Sequence, residues 1–339
     1  MTTILYRLPE EKVVHELHST QVEQIPSLDL LGQRQGYAFV PFDVRGKSPA
    51  LLYLPDEEHA WMTPNRFSSR HVEYTSDEPR RRQLYSDEFA RCLEQLQSGA
   101  VDKIVLSRTL RLHMDDTLSV DDRRNLFIVA CHRYPHSYVA LIDDTDSAWL
   151  IATPEVLLEE KEGSLRTMAL AATMSIEEGA HLRPSQWSSK NRKEQQIVAE
   201  YIASRLTALG IDFAPSAVHT KIAGQLVHLC TDFSMNIDDN IGRIIAALHP
   251  TPAVCGLPTE RAHRLITEIE SHDRSYYAGF SGPILLDTGT HLFVTLRCMH
   301  LEGATARLYA GGGLLADSDV ESEWVETQRK LKTMLNVLQ

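Results

Sequence analysis

The feature that most restricts the fold of this chain is the segment VDKIVLSRTLRLHM at residues 101–114. Apolar and polar side chains alternate along it, which is the pattern of a β-strand. Ile104 and Leu106 fall on one face, and Lys103 falls on the other between apolar neighbours. The ordinary explanation for a lysine there is an edge strand protected against aggregation. The alternative is a lysine with a chemical role, and the pattern alone leaves both open.

Further strands and helices are indicated on both sides of this segment. Residues 36–54 and 146–159 are apolar runs bounded by Gly, Pro or Asp, which predicts strands. Apolar residues at helical spacing predict helices at Ser86–Ser98 and Asn191–Leu209, each followed by glycine. Repeats and linker-like stretches are absent from the sequence. It therefore predicts one mixed α/β domain of long antiparallel strands with helices outside.

Charge and composition exclude several classes of protein. The 339 residues include 34 basic and 46 acidic side chains, a net charge of −12, which argues against nucleic acid or an anionic bilayer as partner. A hydrophobic content of 43% excludes a disordered chain, and the sequence contains neither a signal peptide nor a membrane-spanning apolar run. Five scattered cysteines predict reduced thiols, so we expect a cytoplasmic protein that binds a small molecule or another protein.

The C-terminal segment has the pattern of a helix with charges on one face. Ser318 and Glu321 predict a capping box at its start. Glu323, Glu326 and Lys330 then fall at positions i, i+3 and i+7, on a stripe that becomes apolar one turn later. Neighbouring carboxylates on one helix face repel each other unless a positive charge lies between them.

A third carboxylate belongs with this pair. Glu194 projects from the apolar face of the helix predicted at Asn191–Leu209. Three carboxylates form an oxygen-rich set of the kind that binds Mg²⁺ together with substrate oxygens. The competing interpretation is a run of solvated charges on a surface helix. The residue spacing alone does not favour the Mg²⁺ site over this interpretation.

Ten sequence blocks occur in the order expected of one enzyme family. They are KIVLSR (103–108), ATPEVLL (152–158), LAAT (170–173), SKNRKEQQIVAEYI (189–202), VHLCT (227–231), LHPTPAVCGLP (248–258), HDRSYYAGFSG (272–282), LRC (296–298), AGGGLL (310–315) and SEWVETQRKLKTML (322–335). By these blocks the chain resembles the chorismate-utilising enzymes, and within them the isochorismate synthases. Residues 81–339 then correspond to the chorismate-binding catalytic region, and 1–80 to a weakly matching N-terminal part of the same domain.

The resemblance implies both a fold and an activity. The fold is a single α+β domain in which two large, mostly antiparallel sheets pack face to face with helices outside, as in anthranilate synthase component I. The activity is the Mg²⁺-dependent isomerisation of chorismate to isochorismate, for menaquinone or catechol siderophore biosynthesis. The resemblance further implies a monomer without a glutaminase subunit, whose partners are chorismate and isochorismate.

The resemblance assigns the two catalytic roles to Lys103 and Glu155. Isomerisation adds water at C2 of the ring while the C4 hydroxyl leaves, which requires a base for water and an acid for the leaving group. In the family the base is the lysine of the first block, Lys103, and the acid is the glutamate of the second, Glu155. A glutamate in this role must keep its proton, which a less polar setting favours.

The resemblance also assigns the binding residues. Arg297 is aimed at a substrate carboxylate with Tyr277 as its partner, Lys330 lies near the second carboxylate, and Gly311 and Gly313 are loop glycines whose backbone approaches the substrate. The other substrate-binding positions are Thr173, His228, Ala253 and Leu296, and the Mg²⁺ ligands are Glu194, Glu323 and, through water, Glu326. Without the resemblance, His228 reads as a satisfied core histidine.

Single positions separate this chain from neighbouring branches of the family. Ala253 is typical of isochorismate synthases, whereas relatives that continue to salicylate carry threonine there. Anthranilate synthases usually carry glutamine in place of Lys103. Aminodeoxychorismate synthases have a nucleophilic lysine where this chain has Ala171. Lys103 and Ala171 thus argue against the anthranilate and aminodeoxychorismate synthases. A salicylate synthase remains the alternative enzyme, although Ala253 favours an isochorismate synthase.

Two departures from the family pattern keep a catalytically inactive, chorismate-binding homologue as a further alternative. Ala172 replaces a usual glycine, which strains the backbone if φ is positive there and otherwise crowds the pocket. Gln195 follows the metal glutamate where histidine is usual, and glutamine cannot become a cation.

His249 precedes a proline in a predicted rigid turn, which is a candidate for a cis X–Pro bond.

Overall fold

A computed structural model describes residues 1–64, 72–179, 181–223, 226–236 and 240–339. Within these ranges the strands, numbered along the chain, form two sheets of ten strands each. Neighbouring strands within each sheet pair antiparallel throughout. The first sheet contains, in spatial order, β16 (Gly256–Leu257), β8 (Lys103–Met114), β20 (Thr305–Leu314), β19 (Cys298–Glu302), β10 (Ser147–Thr153), β9 (Tyr138–Asp143), β1 (Thr2–Arg7), β2 (Val13–Ser19) and β6 (Glu57–Met62), with β7 (Tyr74–Ser76) also beside β8.

The second sheet is of the same size, and the helices connect and cover the two. It contains, in order, β13 (Phe213–Pro215), β15 (Leu226–Asn236), β12 (Ser164–Ser175), β11 (Val156–Lys161), β18 (His291–Val294), β17 (Phe280–Ile284), β4 (Gly36–Val40), β5 (Leu51–Leu54) and β3 (Gln21–Gln24), with β14 (His219–Ala223) also beside β15. The helices are α1 (Glu78–Gln97), α2 (Val120–Arg133), α3 (Ile176–Gly179), α4 (Ser189–Ala208), α5 (Ile241–Leu248), α6 (Thr259–Ile269) and α7 (Val320–Leu335), with short 3₁₀ turns at Leu28–Leu30 and Pro184–Gln186.

The two sheets pack face to face around one apolar core. The ring of Tyr138 on β9 stacks on that of Phe293 on β18, with centroids 4.3 Å apart. The hydroxyl of Tyr138 also lies 2.6 Å from that of Tyr37 on β4. Both contacts join one sheet to the other, so the predicted α+β architecture with face-packed sheets is confirmed. Residues 1–64 supply strands to both sheets.

Lys103 does not lie on a free sheet edge. It pairs with Leu257 of β16 on one side, and β20 follows β8 on the other. Its side chain is fully buried. The edge-strand interpretation of Lys103 is therefore wrong, because a neighbouring strand that the local pattern does not reveal covers it.

The helix predictions are confirmed in place, with corrections at their ends. Helix α4 starts and ends within two residues of its predicted bounds, whereas α1 begins about two turns earlier than expected. The predicted capping box of Ser318 and Glu321 is wrong, since Asp319 caps α7 by accepting from the Ser322 amide at 2.9 Å. The Ser318 hydroxyl instead donates to Glu323 at 3.0 Å.

The remaining sequence expectations concern cysteines, prolines and membrane segments. All five cysteines are free and buried. The His249–Pro250 bond is cis, as the turn motif suggested, and so is Leu257–Pro258. No helix in the described ranges is long and apolar enough to cross a bilayer. Apolar residues of α2 and the end of α7 cover the outer face of the first sheet.

Candidate active site

A cavity between the two sheets collects most of the residues singled out from the sequence. Its volume is about 50 Å³, and it is bounded by β8 and β20, by β12 and β15, and by α4 and α7. Twelve of the fourteen predicted site residues line it: Glu155, Thr173, Glu194, His228, Ala253, Tyr277, Leu296, Arg297, Gly311, Gly313, Glu326 and Lys330. The remaining two, Lys103 and Glu323, lie immediately behind this lining, in contact with other charged side chains.

The glycines of β20 make this gathering of side chains possible. They lie in a strand and not in a loop, which corrects the expectation for Gly311 and Gly313. A Cβ on Gly313 would overlap the Glu194 carboxylate and lie 2.8 Å from Cε of Lys103, and one on Gly312 would lie 3.0 Å from a Glu323 oxygen. None of these glycines has a positive φ. They are required here for close approach, because side chains from α4 and α7 occupy the space a Cβ would fill.

Each of the three predicted metal-binding glutamates forms an ion pair with a lysine. Lys103 Nζ lies 3.0 Å from Glu194 Oε1. The other two pairs, Lys190 with Glu323 and Lys330 with Glu326, are each 2.5 Å long. Among the described residues the three glutamates do not form a group whose oxygens all lie within 4.8 Å of one another.

Burial and mutual repulsion distinguish these glutamates from a surface charge run. Glu323 is 2% exposed, and its burial, followed by repulsion from Glu326, raises the pKa of its carboxyl. Burial acts to raise the pKa of Glu326, but the nearby Lys330 holds this pKa below its usual value. The solvated-run interpretation is therefore wrong. The carboxylates point into the protein, where each requires a cation.

Glu155 lies in the setting that a general acid requires. It follows β10 at the point where the chain passes from the first sheet to the second, and its side chain is buried. Burial raises the pKa of Glu155 to about 7, against the opposing effect of Arg297 and Lys103. A carboxyl with this pKa carries its proton in a large share of molecules at neutral pH.

Arg297 is a buried cation that has no anionic partner among the described residues. Its side chain lines the cavity, and within the described ranges its guanidinium forms neither an ion pair nor a hydrogen bond. Its backbone is in the left-handed region, with φ of 31°, and its carbonyl accepts from the amide of Ala152 at 3.0 Å. A buried guanidinium in this state favours a ligand with a carboxylate, which its planar fork can bind with two hydrogen bonds.

His228 is not a satisfied core histidine. Its Nδ1 lies 3.0 Å from the carbonyl of Ala172, while its buried Nε2 has no partner in the part of the chain that the structure describes. Burial, with a smaller contribution from Arg297, lowers the pKa of His228 to about 3. The ring is therefore neutral. With Nδ1 donating to the carbonyl, Nε2 can accept a hydrogen bond from a ligand hydroxyl.

Ala172 combines the two effects that the sequence left as alternatives. Its φ is 60°, and it is the extra residue of a β-bulge between Ala171 and Thr173 on β12. It also lines the cavity.

The second departure from the family pattern is Gln195. Its side chain is buried, and its amide nitrogen donates a hydrogen bond to the hydroxyl of Thr231 at 2.7 Å, so the amide is satisfied within the protein.

Sequence reasoning missed several residues of this site. Lys190 lies four residues before Glu194, so the helical spacing could have placed it on the same face. The apolar lining by Val105, Pro154, Leu170 and Val254 carried no distinguishing signal beyond adjacency to the recognised blocks. These positions become apparent only when the two sheets are brought together.

The sequence matches the profile of the chorismate binding enzyme family over residues 56–339. This match covers most of the chain and includes every block on which the resemblance was based. The protein therefore belongs to the chorismate-binding enzymes.

Individual relatives agree with this assignment. The chain is 29% identical over 276 residues to isochorismate synthase MenF of Haemophilus influenzae, which covers 79% of this chain but only 62% of that relative. The structure of MenF, the menaquinone-specific isochorismate synthase of Escherichia coli, superposes with a TM-score of 0.84 at 22% identity, over 100% of this chain and 89% of the other. Anthranilate synthase component I of Streptococcus pneumoniae gives 0.72 at 18% identity, over 98% and 92%. These structures confirm the fold.

Proposed function

We propose that this protein converts chorismate to isochorismate. The observation that carries the proposal is a cavity lined by Glu155, with Lys103 behind the lining at Glu194, that also holds the Arg297 guanidinium, which is unpaired within the described ranges. The reaction needs a base, an acid and cations for two substrate carboxylates, and this cavity offers all three. The names of the relatives support the choice of this reaction within the family.

In the proposed reaction, Lys103 takes a proton from the water that attacks C2. Glu155 gives its proton to the C4 hydroxyl, which leaves as water while the ring double bond shifts. Lys103 must be neutral to accept a proton, and its only ion-pair partner among the described residues is Glu194. Glu155 has the pKa of about 7 that lets a carboxyl donate at neutral pH.

Binding of the dianion falls to Arg297 and Lys330, one for each carboxylate. Lys330 is held by Glu326 at 2.5 Å and by the carbonyl of Gly311 at 2.8 Å, which fixes its position on the cavity wall. The neutral His228 accepts a hydrogen bond from a substrate hydroxyl through its Nε2, which has no partner among the described residues. Ala253 leaves its part of the pocket small and apolar, which favours isochorismate as the final product over salicylate.

The proposal includes Mg²⁺ at Glu194, Glu323 and Glu326. The donor set fits this ion, because the carboxylates of Glu194, Glu323 and Glu326 all lie against the adjacent Gly312 and Gly313 of β20, and because Glu323 is buried with a raised pKa that a divalent cation would reverse. The bound ion would neutralise the ring carboxylate of the substrate. Lys190 then has to share or give up its contact with Glu323.

Menaquinone and catechol siderophore synthesis both begin from isochorismate, and the enzymes that consume it decide between them. We propose that the protein acts as a monomer in either route. Because the proposed nucleophile is water and not ammonia, it requires no glutaminase subunit.

Product analysis tests this function. Purified protein is incubated with chorismate in Mg²⁺ or in excess EDTA, and the products are separated by chromatography. We expect isochorismate in Mg²⁺ and none in EDTA. Salicylate with pyruvate as the main product would move the protein to the salicylate branch, and unchanged chorismate in both samples would contradict the proposed function.

A further inference from the structure

Strand β14 lies beside β15, which contributes His228 to the cavity lining, and it carries a lysine to which the proposed reaction gives no role. Lys221 on β14 lies directly across from His228 on β15. Directly opposed residues of antiparallel strands point to the same face of a sheet. Because His228 lines the cavity, Lys221 lies on the same face of the sheet, one strand beyond the lining.

The ammonium of Lys221 has no carboxylate partner in the described ranges. Its one polar contact there is the thioether sulfur of Met168 on β12, at 3.5 Å. Since β15 lies between β14 and β12, the Lys221 side chain crosses the cavity face of β15 to reach this sulfur. A thioether is a weak acceptor, so the contact orients the ammonium without neutralising it.

An acidic group on this part of the sheet, Asp232 of β15, is already paired. Asp232 accepts from Arg166 at 2.8 Å. Asp232, His219 and Cys230 lie within 4.8 Å of one another. Burial raises the pKa of the Cys230 thiol to about 12, and the guanidinium of Arg166 opposes a second cation there. This cluster therefore supplies neither a metal site nor a free counter-charge for Lys221.

The charge of Lys221 reaches the reacting end of the cavity. Burial raises the pKa of Glu155, and Lys221 is one of the four cations, after Arg297, Lys103 and Lys330, that act against it. Lys221 also contributes, behind burial and the same arginine, to keeping His228 neutral. A half-buried ammonium without a partner is costly, and an anionic ligand would offset this cost.

We propose that Lys221 binds a carboxylate of the substrate at the His228 wall, as a third cation besides Arg297 and Lys330. This inference rests on the proposed function, because it requires a dianionic ligand such as chorismate. When the substrate enters, the ammonium exchanges the Met168 sulfur for a carboxylate oxygen, a far stronger acceptor. A flexible lysine can make this exchange without the fixed geometry that an arginine fork imposes.

Steady-state kinetics of Lys221→Met and Lys221→Arg test the inference, with Lys161→Met as the matched control. Lys161 is exposed at the end of β11 in the same sheet, whereas Lys221 is half-buried and lies opposite the cavity residue His228. We expect Lys221→Met to raise the KM for chorismate about tenfold, the size of one charge-assisted contact, with kcat changed less than twofold. Lys221→Arg should stay within about threefold of the wild type in KM, because it keeps the charge. The control should match the wild type.

Two results would overturn the role of Lys221. One is a KM of Lys221→Met within twofold of the wild type. The other is a fall in kcat and melting temperature with KM unchanged, which would show a structural role.

Equilibrium binding separates this inference from the proposed function. Calorimetry measures chorismate affinity in a Lys103→Gln background, with and without Lys221→Met. A loss of affinity on removing Lys221 supports the inference even if the wild type does not convert chorismate, and equal affinities contradict it even if the wild type does.

Discussion

Glu155 shows how burial adapts an ordinary carboxyl to its proposed task. It has no ion pair within the described ranges, yet Arg297 and Lys103 contribute charge from nearby. Burial dominates and leaves the group half protonated near pH 7. An acid that is too strong would lose its proton before the C4 hydroxyl could leave, and a fully isolated one would not release it.

The raised pKa of Glu155 predicts a measurable dependence of stability on pH. A carboxyl whose folded pKa of about 7 exceeds its unfolded value of 4.5 favours the folded state below pH 4.5. This contribution is lost as the pH rises through 7 and amounts to about 3 kcal/mol. We therefore expect Glu155→Gln to become more stable than the wild type as the pH rises from 5 to 8, measured by urea unfolding.

A matched variant controls for the general effect of removing a charge. Glu302→Gln removes an exposed carboxylate from β19 and should follow the wild type across this range. A Glu155→Gln variant whose stability relative to the wild type did not change between pH 5 and 8 would show that Glu155 titrates normally.

Ala172 is the second residue with a testable energetic consequence. Its φ of 60° lies in the left-handed region, which costs an alanine roughly 1 kcal/mol and a glycine almost nothing. We expect Ala172→Gly to raise the free energy of unfolding by about 1 kcal/mol. The adjacent Ala171→Gly, where φ is not positive, should instead lower it, as glycine usually does within a strand. Equal losses in both variants, measured by urea unfolding, would contradict the strain.

At the scale of elements, β20 is the part on which the site most depends. Its three consecutive glycines let carboxylates of α4 and α7 lie against the strand beside Lys103 of β8. A side chain at Gly313 would push the Glu194 carboxylate away from Lys103, although the strand itself accepts alanine without backbone strain. The absence of side chains at these glycines therefore leaves the space that the carboxylates occupy.

Gly313→Ala should separate activity from stability. We expect a loss of about 100-fold in kcat/KM, since displacement of a catalytic group by 1 Å can have this effect, while the melting temperature changes by only a few degrees. Thr305→Ala, at the other end of β20, is the control and should retain full activity. Activity of Gly313→Ala within threefold of the wild type would show that the Glu194–Lys103 pair does not need this close approach.

The sequence predicted the elements and the members of the site better than their interactions. Periodicity identified α4 and β8, and the ordered blocks identified twelve residues that line the cavity. The strand beside Lys103 and the pairs Lys103–Glu194 and Lys190–Glu323 could not be predicted, because each joins segments far apart in the chain. The Lys330–Glu326 pair is local, and the helical spacing of the sequence had placed both residues on one face.

At the scale of the whole molecule, the net charge and the charge of the site have opposite signs. The chain carries −12, yet four cations, Lys103, Lys221, Arg297 and Lys330, act on the buried Glu155, and two of them, Arg297 and Lys330, line the cavity between the sheets. The overall charge therefore disfavours polyanionic macromolecules, while the interior concentrates cations where a small dianion can bind. The two-sheet architecture allows this separation, because the cavity lies between the sheets and is bounded by strands of both and by α4 and α7.

The central claim is that water attacks C2 while the C4 hydroxyl leaves. Incubation of the protein with chorismate and Mg²⁺ in water enriched in ¹⁸O, followed by mass spectrometry of the isochorismate formed, tests it directly. The account predicts that the new C2 hydroxyl carries ¹⁸O and that Lys103→Gln forms no labelled product. Isochorismate formed without the label would show that the hydroxyl migrates within the substrate, and would contradict the roles assigned to Lys103 and Glu155.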